Sequence, residues 1–302
     1  MSVLISMITT VEAIRHEVGR LDMSPAIGAA TKGESDALVV ANAVDSLIGQ
    51  GGILASLESD PFDAGLRGDL VSYMAIATGA ADDLAAALLD FQEKFLVPDG
   101  IAGDIISFAG VMQSLFAGIE SEVSSLPGGA GFIAARNEFG VVLGNLTDAY
   151  VALKQTAEQV APTTTDCTEA VGLLSAAVDA FILEEGDPAQ AEELRAAAQA
   201  QAEITTSRAL EAVTVWNLLK NLSSGFPEKV QLLAQTAFYK SEFLASGIAL
   251  AESLIEEIDQ FLADGPNAVQ EVLRAVGGIV NAAVLQDVAN QMRTIIQRLS
   301  RA

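Results

Sequence analysis

Apolar residues in this chain recur at helical spacing, and no segment alternates apolar and polar residues with period two over a useful length. Near the N-terminus Leu4, Met7, Val11, Ile14, Val18 and Leu21 follow one another at intervals of 3, 4, 3, 4 and 3. That is the spacing of a coiled-coil seam. Val284, Val288, Met292, Ile295 and Leu299 make a similar stripe at the C-terminus. Between them, Val230, Leu233, Ala237, Leu244, Ala251, Leu254, Ile258 and Phe261 share one register, interrupted by Lys240 and Gly247. A helix patterned this way must bury its apolar stripe against other helices, so the expected fold class is all-α.

Gly and Pro punctuate the pattern. Breaks are expected at Ser24-Pro25, Asp60-Pro61, Pro98-Asp99-Gly100, Pro127-Gly128-Gly129, Pro162, Gly186-Asp187-Pro188, Gly225-Phe226-Pro227 and Gly265-Pro266. They divide the chain into about nine helices, at 2–21, 35–57, 66–97, 101–125, 130–160, 166–184, 188–223, 228–263 and 267–300. Asp187 has the position of an N-cap before Pro188, and Asp166 with Glu169 has capping-box spacing. Short turns between the last three segments imply an elongated bundle with long antiparallel rods in the C-terminal half. The Gly-rich stretch 1–126 is expected to be an N-terminal lobe and 127–302 a long-helix bundle, or the two one continuous domain.

Charge and composition remove several function classes. Forty Asp and Glu against 16 Lys and Arg give a formal charge of −24. Such a balance opposes nucleic acid and anionic lipid. A single Cys and a single His leave no disulfide framework, no zinc site of several Cys or His, and no paired Glu-x-x-His motif. No cofactor is expected. No segment reads as a stable membrane span: the best, 101–119, is interrupted by Asp104, and a span needs about 20 apolar residues. The N-terminal run from Val3 to Val11 lacks a basic leader, so cytoplasmic synthesis without a signal peptide is the expectation, with later incorporation into an external assembly left open.

The residues able to do chemistry are few. His16 follows Glu12 by four positions and reads as a solvated pair. Cys167 is placed at a helix N-terminus, with Asp166 and Glu169 disfavouring its thiolate. Gly129 to Ala134 matches a loose G-x-G-x-x-A dinucleotide pattern, but no strand precedes it. Glu58, Asp60, Asp63 and Asp69 crowd one loop without EF-hand spacing. Glu184, Glu185, Asp187, Glu192 and Glu193 read as a solvated acidic corner at a helix start, with a docking patch for a basic partner protein as the alternative. Gly140 and Gly144 have G-x-x-x-G form and read as tight helix packing. Asn145-Leu146-Thr147 and Asn221-Leu222-Ser223 match glycosylation acceptors.

None of this makes a catalytic constellation, so the chain is read as a non-enzyme. The leading expectation is a structural subunit that self-assembles through helix packing into a homo-oligomer, as in a filament, shell, virion or secretion-type assembly. Its interface is expected on the two terminal seams, the N-terminal one above all, the other reading being that these seams are buried within the same chain. One alternative is a soluble α-helical pore-forming protein with membrane-active segments near 101–119 and 275–286. Another is a helical adaptor or ligand-binding bundle.

Overall fold

The computed structural model describes residues 3–49, 51–120, 129–263 and 282–301. Seven helices and no strand occur among them: α1 (Val3–Arg20), α2 (Ser24–Ile48), α3 (Ile53–Ser56), α4 (Ala64–Gly118), α5 (Gly129–Leu183), α6 (Pro188–Ala263) and α7 (Ala282–Arg301). The chain is an all-α bundle of long packed helices.

The helices are fewer and longer than the nine expected because three prolines do not act as breaks. Pro98 lies inside α4, Pro162 inside α5 and Pro227 inside α6. An internal proline removes one backbone hydrogen bond and costs about 3 kcal/mol. The buried stripe simply continues past each one. Phe95, Ile101 and Ala102 are buried around Pro98. Val160, Thr164 and Cys167 are buried around Pro162, and Phe226 and Val230 around Pro227. Each large apolar side chain buried contributes roughly 1.5–3 kcal/mol, so two neighbours offset the proline. Asp166 and Glu169 therefore cap nothing, since both lie in the interior of α5.

Ser24-Pro25 does separate two helices, but the loop expected after it is absent. Only Leu21 to Met23 intervene before α2 begins at Ser24. Pro25 sits in the first turn, where its missing N–H costs nothing, and Asp22 Oδ1 accepts the Ser24 N–H at 2.9 Å. Gly51, at φ +80°, turns the chain between α2 and α3 in the left-handed region that a side chain would strain. The Gly186-Asp187-Pro188 break stands as expected. Asp187 Oδ1 accepts the N–H groups of Ala189 (2.9 Å) and Gln190 (3.3 Å). The turns expected at Pro127-Gly128 and Gly265-Pro266 fall outside the described residues.

Two compact units make up the chain. One comprises Met1–Leu21, Ile101–Asp148 and Glu228–Ala302; the other Asp22–Gly100 and Ala149–Pro227. Each draws residues from both sides of position 127. The second unit is built around Trp216, fully buried with Phe91 edge-on to it at 5.9 Å. Its indole N–H donates to Thr164 Oγ1 at 3.1 Å. Gly33 of α2 faces that indole so closely that an added Cβ would sit 2.5 Å from Trp216 Cδ2, which explains a glycine in mid-helix. The first unit has Phe116 edge-on to both Phe132 (5.8 Å) and Phe139 (5.5 Å).

Candidate functional site

The two seams pack inside the chain. Met7, Val11 and Ile14 are buried, while Val18 and Leu21 are half-buried. The side chain of Leu4 lies outside the described residues, as do those of Val284, Val288 and Leu299. On the C-terminal stripe Met292 is buried against Ile255, and Ile258, Ile295 and Ile296 pack around that pair. α1 and α7 contact each other within the first unit. The groove that the N-terminal seam needs is thus supplied by its own chain. The outward side of α1 shows Ile5 and Ile8 instead, each about half exposed.

Most residues with chemical potential are engaged in structure. His16 is exposed, and its Nδ1 lies 3.9 Å from Glu17 rather than near Glu12. Cys167 is fully buried in mid-helix, not at a helix start. Burial pushes its thiol up to about 11, so the nucleophilic thiolate is suppressed. Gly129 to Ala134 form the first turns of α5, with no strand before them among the described residues. No group of three or more His, Cys, Asp or Glu among the described residues is arranged to hold a metal ion. Two carboxylates of the 58–69 loop instead accept backbone N–H groups: Asp60 from Phe62 (3.1 Å) and Asp63 from Leu66 (2.8 Å). An added Cβ on Gly140 would meet Gln113 at 3.3 Å, whereas Gly144 is exposed with open space around it. Tight packing therefore holds at one glycine of the pair. In the second acceptor motif Asn221 is exposed and Ser223 is fully buried.

The acidic corner after α5 is a capping device. Glu184 Oε1 accepts the N–H groups of Gly186 (3.0 Å) and Asp187 (2.9 Å), which holds its carboxyl below the usual range. Arg67, which sequence reasoning passed over, completes it from the other side. Its guanidinium donates to the carbonyls of Ile182 (3.1 Å), Phe181 (3.3 Å), Glu184 (2.9 Å) and Pro61 (2.7 Å). The same group stacks between Phe62 and Phe181 at about 5 Å from each ring. The carbonyls of Phe181, Ile182 and Glu184 lie at the end of α5, where a cation is favoured by the helix dipole.

Three further polar clusters went unread in the sequence. Arg195, 6% exposed, donates to the Leu54 carbonyl (2.9 Å), to Gln199 (3.0 Å) and to Glu192 (2.6 Å). Glu34 accepts from both Asn217 and Lys220, and these contacts lower its carboxyl pKa, Lys220 most. Tyr150 donates to Asp99 Oδ1 at 2.9 Å, and its hydroxyl is pushed up to about 12, by burial first and by Asp99 second. A proton held that firmly is a poor catalytic acid near neutral pH. Only long-range contacts reveal these partners, which are 51 to 186 residues apart for Tyr150–Asp99, Arg195–Leu54 and Lys220–Glu34.

Apolar side chains also remain open to solvent. Positions 70–81 of α4 hold no charged residue, and within them Val71 (49%), Ile76 (50%) and Tyr73 are exposed. Leu89 and Leu96 follow on the same helix at 68% and 72% exposure. Two shallow grooves are also present. One is lined by Thr163, Ser207, Leu210, Glu211, Thr214 and Val215. The other, about 480 Å³, is lined by Glu252, Ile255, Glu256, Arg293, Ile296 and Gln297. Two stretches, Ser24–Ser56 and Ala64–Gly118, are long and apolar enough to cross a membrane, with 47% and 39% of their most apolar windows buried in the chain. Of the expected membrane-active segments, 101–119 lies almost wholly in α4 with Ile101, Ile105, Met112, Phe116 and Ile119 buried. Segment 275–286 falls mostly outside the described residues. Comparison of the chain with protein-family models, with curated proteins and with solved structures finds no match.

Proposed function

We propose that this chain is a non-enzymatic structural subunit that assembles with copies of itself through helix packing. The observation that carries the reading is the uncharged surface of α4 over 70–81. A chain with 56 charged side chains leaves about three helical turns there without one, and exposes Val71, Tyr73 and Ile76 on them. An acidic protein kept soluble by mutual repulsion gains nothing from such a face unless another surface covers it. A homo-oligomeric filament, shell, virion or secretion-type assembly supplies that cover. Light scattering of the purified chain tests it. The wild type is expected to exceed the 31.3 kDa of one copy, and Val71→Glu with Ile76→Glu to reduce its size while leaving the helical circular dichroism intact. A wild type that stays at 31.3 kDa at every concentration removes the proposal.

A pore-forming role is favoured by one observation, the length and apolarity of Ser24–Ser56 and Ala64–Gly118. Core helices of soluble proteins have the same length and apolarity, but less than half of each window is buried in the chain. Dye-loaded vesicles of neutral lipid are expected to stay intact in the presence of the chain. Release at submicromolar protein would reverse the order of the two readings.

A further inference from the structure

We propose that the groove beside α7 in the first unit is a second contact between copies, and that its occupant is the C-terminal end of α7 from another copy. The inference rests on the self-assembly reading and adds a partner element to it. Ile255, 7% exposed, and Ile296 give the groove an apolar floor, and Glu252 and Glu256 give it an acidic rim. Neither rim carboxylate forms an ion pair among the described residues, whereas the nearby Asp259 is paired with Arg293. The groove therefore selects an apolar segment with positive charge.

One described helix has that character. α7 carries Arg293, Arg298 and Arg301 against a single acid, Asp287, and Leu299 follows Ile295 and Ile296 along it. Every other described helix is neutral or net negative. In a chain of charge −24, α7 is the one described helix with a net positive charge, which an acidic groove attracts. The geometry also closes. Arg293, Ile296 and Gln297 of α7 form one wall of the groove, and Arg298 to Arg301 lie directly beyond them on the same helix. Two copies meeting there would each offer a groove and an occupant, which is the reciprocity an isologous two-fold contact requires. A filament or shell needs two independent contacts per copy, and this one shares no residue with positions 70–81 of α4.

Charge reversal on the full-length chain tests the contact. Sedimentation is measured for the wild type, for Glu252→Lys with Glu256→Lys, for Arg298→Glu with Arg301→Glu, and for all four changes together. Each double variant is expected to weaken self-association at least about tenfold with unchanged helical content, and the quadruple variant to restore it. Self-association that persists unchanged in both double variants overturns the groove contact and leaves the assembly reading standing. A wild type that remains at 31.3 kDa overturns both. Flotation with phosphatidylglycerol vesicles adds the lipid outcome. If a monomeric wild type floats, and Arg298→Glu with Arg301→Glu does not, the end of α7 serves a membrane surface and the proposal falls. Loss of helicity in a double variant without rescue in the quadruple also counts against it, because the residues then serve the fold of one copy.

Discussion

Each of the two units is held together internally by a different means. In the unit comprising Asp22–Gly100 and Ala149–Pro227, buried and half-buried donors reach across the sequence to backbone and side-chain acceptors. Arg195 reaches the Leu54 carbonyl, Arg67 the last carbonyls of α5, Thr205 Oγ1 the Ala170 carbonyl (3.0 Å), and Trp216 the Thr164 hydroxyl. In the other unit the described inter-helix polar contacts are Arg136–Glu120, Lys240–Glu138 and Arg293–Asp259, each with at least one partner more than a third exposed. Its packing rests on apolar faces such as Met7, Ile14, Ile255 and Met292. A buried polar contact is satisfied in one arrangement and costly in any other, so it fixes register. Apolar helix faces accept many partners. The contrast separates a unit whose register is fixed by buried polar contacts from one whose described packing rests mainly on apolar faces.

The hardest test of the unit with buried polar contacts is its centre. Trp216→Ala removes a fully buried indole together with its bond to Thr164 and its contacts with Phe91 and Gly33. The expected loss is about 3–5 kcal/mol, read from urea unfolding followed by circular dichroism. A loss below about 1 kcal/mol would mean that the tight fit at Gly33 does not organise the unit.

Next comes the buried cation. Arg195→Met keeps the aliphatic bulk but leaves the Leu54 carbonyl without the guanidinium donor, for an expected loss of about 1–3 kcal/mol. Arg293→Met in the other unit removes an exposed pair and should cost about 0–1 kcal/mol. Equal losses in the two variants would erase the contrast between the units.

How far the sequence foretold this follows the same division. Apolar periodicity found the helical class, the buried stripe of α1 and the Asp187 cap, since those signals lie within about one or two turns. It misplaced three helix ends, because a local rule about proline does not register burial of Phe95, Val160 or Phe226 by distant helices. It also left two occupants for the N-terminal seam, another subunit or a groove of the same chain. A seam shows that a groove exists, but not which chain supplies it. Arg67 was illegible for a related reason: its hydrogen-bond partners are backbone carbonyls, which carry no side-chain signature, and the same holds for the long-range bond of Arg195 to the Leu54 carbonyl.

A smaller effect probes a single helix start. Asp187→Ala should cost about 0.5–2 kcal/mol, because the first N–H groups of α6 at Ala189 and Gln190 lose their acceptor. Amide hydrogen exchange is expected to quicken at those two positions and to remain unchanged around Trp216. Faster exchange throughout the unit would mean that the corner governs the whole unit, not the end of one helix.

The smallest effect at neutral pH is at Glu34, whose pair with Lys220 is partly exposed, with side chains 21% and 27% accessible. Its carboxyl pKa is lowered in the folded chain by Lys220 first and Asn217 second. A group whose folded pKa lies below its unfolded value stabilises the fold above the unfolded pKa, near 4.5, and loses that contribution as pH falls through the folded one. Glu34→Gln cannot titrate, so its stability relative to wild type should improve as pH falls below about 4.5 and be slightly worse near pH 7. The measurement is the difference in unfolding midpoint between the two proteins across that range. A constant difference would mean that the lowered pKa does not contribute to folding. A difference that instead grew in favour of wild type on acidification would reverse the sign and place the pair on the destabilising side.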